Sequence, residues 1–174
     1  MTASSATSHA IAAVVGTLEL LRDVVADLSR DVYSLEVVGA GRASIGRQVR
    51  HCSDHVRLFV EGLTSSEIDY DDRARGTDPE VDPAAAAAEL EQLCAALRAC
   101  QVDAHQALCV HSVTNSAGQR VTTRSSVGRE LIYLQAHTVH HAAMIRGVLE
   151  AAGVEVPAQL GFAPSTMAHT DSER

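Results

Sequence analysis

The apolar positions near the start of the chain fall at three- and four-residue steps: Ile11, Val14, Val15, Leu18, Leu21, Val25 and Leu28. That spacing lines one face of an amphipathic helix beginning near Ser8. After the glycines of "VVGAGRAS", Ser44 is placed to cap a second helix, whose inward face is Ile45, Val49, Cys52, Val56, Phe59, Val60 and Leu63. The stretch "SSEIDYDDRARGTDPEVD" is charged and poor in apolar anchors, so it reads as a long solvated crossover that lets neighbouring helices run parallel. Asp82 and Pro83 open a third helix, as cap and first helical position, with a stripe at Leu90, Leu93, Cys94 and Leu97.

The period then changes. "ALCVHSV" and "QRVTTR" are rich in β-branched residues and flank "TNSAG", a short hairpin. Ser126 opens a fourth helix with Val127, Leu131, Leu134, Thr138, His141, Ile145, Val148 and Leu149 on one face, ending at Gly153 ahead of Pro157. These elements predict an all-α fold, a four-helix bundle with a small β-hairpin inserted between helices three and four. The 174 residues suit one domain, with the bundle over 8–153 and an irregular strap and tail over 154–174. "SIGRQV" at 44–49 and "SVGREL" at 126–131 share Ser, Gly and Arg, a faint internal echo that starts helices two and four alike.

Composition narrows the chemistry. A formal charge of −8 without a clustered positive footprint argues against a nucleic-acid surface. All 14 basic residues are Arg, which excludes Schiff-base chemistry, a lysine base and a phosphate-loop lysine. The N-terminal stretch lacks a basic leader and spaces its apolar residues helically, so it reads as a helix rather than a signal peptide, and no run approaches the roughly twenty apolar residues of a membrane span. Cys52, Cys94, Cys100 and Cys109 show no C-x-x-C pairing, which fits reduced thiols in a cytoplasmic protein.

Histidine is the conspicuous residue. Of nine, five fall in the windows 51–55 and 137–141. Histidines four apart project from one helix face, so His137 and His141 can chelate one ion, and His51 and His55 share a face in the same way. A pair from one helix and at least one ring from the other makes a three-nitrogen site with coordination positions open to substrate. His140 points elsewhere, towards a neighbour or a loop. A metal-free polar core is the competing reading, at a cost of roughly 1–3 kcal/mol for each unsatisfied donor or acceptor. His9, His105, His111 and His169, taken singly, read as hydrogen-bonded core residues. Cys52 lies on the apolar stripe and reads as a core thiol, and Asp54 as either a hydrogen-bond partner of a ligating imidazole or a solvated carboxylate.

"SIGRQVRHCSDHV", "IDYDDRAR" and "SSVGRELIYLQAHTVHHAAMIRGVLEAAGVEVPAQLGFAPSTMAH" resemble the DinB-like superfamily of metal-dependent proteins, which includes the bacillithiol and mycothiol S-transferases. The resemblance implies an up-down-down-up four-helix bundle in which one histidine of helix two and an H-x-x-x-H pair of the last helix bind a divalent metal. Carried over, those ligands are His51, His137 and His141; the internal echo superimposes His55 on His137 and makes His55 the reserve ligand. Where some relatives have a further histidine, this chain has Met144. Zinc, nickel or iron suits three imidazoles.

The resemblance further implies a small-molecule substrate, a low-molecular-weight thiol transferred or conjugated at the open metal position, where coordination favours thiolate. Arg50 or Arg146 would bind substrate carboxylates or else sit solvated on the helix surface. A homodimer is the expected assembly. Against this enzyme stands a non-catalytic bundle that binds or dimerises and keeps the histidines as a polar core.

Overall fold

The computed structural model describes residues 3–36, 43–73 and 76–172; the glycines of "VVGAGRAS" lie outside them. In chain order the elements are α1 (Ala3–Ala26), α2 (Arg30–Tyr33), α3 (Ile45–Gly62), β1 (Glu67–Asp69), a 3-10 turn (Asp78–Glu80), α4 (Pro83–Ala99), β2 (Ala107–Val113), β3 (Arg120–Ser126), α5 (Val127–Ala151) and α6 (Pro164–Ser172). Of the long helices, α1 packs against α4 and α5, and α3 packs against the same two.

The helix starts follow from side-chain caps. Ser44 Oγ accepts the Arg47 N–H at 3.2 Å, Asp82 Oδ1 the Ala84 N–H at 3.1 Å and Ser126 Oγ the Arg129 N–H at 3.3 Å. Each satisfies a backbone donor that the first helical turn leaves free. The stripes read from spacing are buried: Val14, Leu18, Leu21 and Val25 of α1, Ile45, Val49, Cys52, Val56 and Phe59 of α3, Leu90, Leu93, Cys94 and Leu97 of α4. At the far end of α5, Gly153 takes φ +74° and lets the chain turn out of the helix.

The all-α expectation fails, because the helices carry a three-stranded mixed sheet in the order β1-β2-β3. The hairpin β2–β3 is antiparallel from Ala107↔Ser126 to Val113↔Arg120. β1 joins it in parallel, Glu67↔Cys109 to Asp69↔His111, from inside the segment expected to be a solvated crossover. Three residues are too few to show a period of two, and a parallel pairing across some forty residues has no local signal. The buried anchors of this layer are Ile68 and Leu108, 1% and 2% exposed. The tail differs as well: Pro164–Ser172 is helical, though it has no apolar stripe to announce it.

The two echo glycines mark close approaches. A Cβ on Gly46 would stand 2.1 Å from the carbonyl oxygen of Glu80, and one on Gly128 would meet Ala104 at 3.0 Å. Both histidine-bearing helices are thus crossed at their first turn by another segment. Gly46→Ala, which must displace backbone, is expected to destabilise the fold by about 1–3 kcal/mol or more. Gly147→Ala, in open space on α5, should be neutral or slightly stabilising. Urea unfolding of the two variants checks the contrast; equal midpoints would contradict it.

Candidate metal centre

The caps set the register of the two histidine helices. His55 lies eleven residues past Ser44 (55 − 44) and His137 eleven past Ser126 (137 − 126), and the two rings meet across the α3–α5 contact with centroids 4.3 Å apart. One turn before His55, His51 brings its Nε2 to 3.0 Å from His137 Nε2. Two nitrogens each 2.0–2.1 Å from one ion must lie about 2.9 Å apart for a right angle at the ion and about 3.3 Å for a tetrahedral one. The observed pair falls in that range.

His51, His55 and His137 could hold a metal ion, since one ring nitrogen of each lies within 4.8 Å of the others. His55 is therefore inside the group. His141 flanks it, with its ring 4.5 Å from that of His137 and 4.7 Å from that of His51. His140 is exposed, with its ring centroid 5.2 Å from that of His141.

Two rings are oriented by acceptors on α3. His55 Nδ1 donates to the His51 carbonyl at 2.8 Å, and His141 Nδ1 donates to Gln48 Oε1 at 2.5 Å. A neutral imidazole with its proton on Nδ1 keeps the Nε2 lone pair free to ligate. Gln48 is buried, 6% exposed, and is one functional residue that spacing alone misses.

Burial, followed by mutual repulsion among the rings and with Arg73, holds His51 down to about 2. Burial first also lowers His55, His137 and His141 to about 4. All four are therefore neutral at ordinary pH, the form that binds metal.

A second layer comes from the sheet side. Tyr70, just past β1, stacks on His55 with centroids 5.1 Å apart, and Tyr133 stacks on His137 at 5.3 Å. The Tyr70 hydroxyl donates to the buried carboxylate of Glu130 at 2.9 Å, and Ser125 Oγ donates to the same carboxylate at 2.5 Å. Burial and the Glu130 charge raise the Tyr70 pKa, so the phenol keeps its proton. Arg73, from the same segment as Tyr70, places Nη1 2.5 Å from His51 Nδ1. Tyr133 and Glu130, one and two turns before His137 on α5, were findable by spacing; Tyr70 and Arg73 arrive through the β1 pairing and were not.

Other candidates resolve away from the centre. Cys52 is fully buried with its thiol pushed up to about 12, a core residue. Asp54 is buried and paired with Arg50 at 3.2 Å and Arg57 at 3.0 Å, so it is neither solvated nor a histidine partner. Arg50 also pairs with Glu80 at 3.1 Å, and Arg146 pairs with Glu150 at 2.8 Å while binding the carbonyls of Pro157, Ala158 and Leu160. His9, His105 and His169 are exposed rather than in the core, and His111 bonds to Thr122 Oγ1 at 2.9 Å. All four cysteines are free, and no helix among the described residues is long and apolar enough to cross a membrane.

No protein-family model matches the chain, and no solved structure matches it. FK506-binding protein 5 of Rhizopus delemar is 46% identical over 46 residues, which are 26% of this chain and 12% of that protein. The chain thus covers about an eighth of that relative's length, too little to assign a family.

The lowered histidines give stability a definite pH dependence. Well above about pH 6.5 folded and unfolded chains bind no proton at these rings. Below it the unfolded rings protonate while the folded ones resist down to about 4, so stability falls as pH drops through this window. Chelator-treated protein should therefore melt at progressively lower temperature from about pH 7 to about pH 4.5. A double variant, His51→Gln with His55→Gln, should lose much of that slope; equal slopes in both proteins would contradict the assignment.

Proposed function

We propose that the chain is a divalent-metal-dependent enzyme of the DinB-like superfamily that joins a low-molecular-weight thiol to an electrophilic small molecule. The observation that carries this reading is the 3.0 Å approach of the His51 and His137 Nε2 atoms between two helices, beside two further imidazoles whose Nδ1 protons are already engaged. His51, His55 and His137 would hold zinc, nickel or iron, and His141, one turn past His137, is the fourth imidazole within reach.

The ion, when bound, supplies the acidity that turns a thiol into thiolate near neutral pH. The chain's own residues do the remaining work. Gln48 and the His51 carbonyl fix two imidazole tautomers, while Tyr70 and Tyr133 cover His55 and His137 and keep water from that side. Glu130 occupies the Tyr70 hydroxyl, which stays protonated and in place. Cys52 is too buried and too weakly acidic to be the nucleophile, which favours a thiol brought in from solution. In the transfer, the thiolate sulfur forms a bond to carbon as the leaving group departs with its electron pair.

Untagged protein purified without chelator should contain close to one transition metal per chain by elemental analysis, and His51→Ala with His137→Ala should remove it. Substoichiometric metal unaffected by the double substitution would overturn the site. The metal-loaded protein should accelerate conjugation of cysteine or glutathione to an alkyl halide, with chelation abolishing the gain. Stoichiometric metal with no acceleration for any thiol tried would leave a metal protein and refute the transfer.

A further inference from the structure

Among the described residues, every arginine except Arg73 and Arg124 pairs with a carboxylate. Arg124 lies exposed on β3. Arg73 is different. It is half-buried and turned inward, and its guanidinium donates to an imidazole rather than to an anion.

Its turn is built to aim it there. The Arg73 N–H bonds to the Asp71 carbonyl at 3.0 Å, Asp71 Oδ2 accepts the Val113 N–H at 2.6 Å, and Asp69 Oδ1 accepts the Asp71 N–H at 3.1 Å. Of the nearby carboxylates, Asp71 accepts from the end of β2, Asp69 pairs with Arg120, and Glu130 accepts from Tyr70 and Ser125; Asp72, next in the chain, makes no ion pair with Arg73. None is directed at Arg73.

The contact with His51 conflicts with metal binding. His51 Nε2 faces His137 Nε2, so a ligating His51 uses Nε2 and, being neutral, carries its proton on Nδ1. That proton would then point at the Arg73 N–H, donor against donor. Three neutral imidazoles leave a bound divalent ion uncompensated, and the guanidinium adds a further positive charge to the same half-buried space. A solution anion is the group that answers both deficits.

We infer that Arg73 is the anion anchor of the histidine centre, and that the ligand accepted beside the ion carries a carboxylate. The inference rests on the metal reading above. Carboxylate is favoured because a planar guanidinium fork matches it in two parallel hydrogen bonds. One guanidinium is also enough for a monoanion. A phosphate dianion would call for further cationic donors, and among the described arginines Arg73 is the one bonded to a histidine of the centre. For the proposed transfer, this assigns the carboxylate to the small molecule bound at the ion, with Arg73 setting its orientation.

The test uses the full chain loaded with cobalt(II), whose visible bands report the coordination sphere, titrated with acetate, with acetamide as the neutral counterpart and with inorganic phosphate. Acetate should change the spectrum saturably and acetamide should not. Arg73→Gln should weaken acetate about tenfold or more while cobalt stoichiometry stays the same, a loss of the size expected for one charge-assisted bond. Arg73→Lys, which keeps the charge without the fork, should recover part of the affinity.

Equal acetate affinity in the wild type and Arg73→Gln would overturn the inference, and so would loss of cobalt from Arg73→Gln. Tighter binding of phosphate than of acetate would overturn the choice of carboxylate. A wild-type protein that takes up no cobalt fails before any anion is added; that outcome removes the metal reading and the anchor together, whereas the other failures leave the metal reading standing.

Discussion

Imidazoles crowded into the α3–α5 contact impose the central constraint on this molecule. Rings with centroids 4.3 to 4.9 Å apart cannot all carry charge, and burial lowers every one of them. They are tolerable only as neutral groups whose nitrogens have partners, and the local chain supplies partners at the Nδ1 side: a backbone carbonyl for His55, the Gln48 amide for His141, a guanidinium for His51. The side where His51 and His137 meet is left for each other or, once the Arg73 guanidinium turns from His51, for an ion.

The rest of the architecture can be followed outward from that contact. Equal spacing from Ser44 and Ser126 brings His55 and His137 to the same height, and Gly46 and Gly128 let other segments cross the two helix starts. The apolar stripes hold the rods, but the second layer of the centre belongs to the sheet. By pairing with β2, β1 delivers Tyr70 onto His55 and Arg73 onto His51, while the turn from β3 into α5 places Ser125 and Glu130 beneath Tyr70.

What could be read in the sequence divides along the same line. Contacts made by residues three, four or seven apart are written in local spacing, so the long helices, their caps and the shared faces of His51 with His55 and His137 with His141 were legible. Contacts that depend on a pairing between distant segments were not. Ile68 is one apolar residue among acidic neighbours, and nothing around it announces a strand, so the fold was read as all-α and the crossover as solvated. The same blind spot hid Arg73 and Tyr70, although both stand in the quoted "IDYDDRAR". Arg50 and Arg146 drew notice by their position near histidines on α3 and α5, yet their carboxylate partners had already claimed them.

Tyr70 and Arg73 ride on one short segment held to the sheet by three residues of β1, the buried side chain of Ile68, the Asp69–Arg120 ion pair and the Val113 N–H bond to Asp71. Excursions in which this edge lifts away involve far fewer contacts than unfolding the rods, so they belong to the low-energy end of native fluctuations. In each such excursion the aromatic cover and the guanidinium depart together while the imidazoles stay mounted on their helices. Solvent entry to the centre and loss of its cationic neighbour are thus a single event, governed by the grip of one short sheet edge.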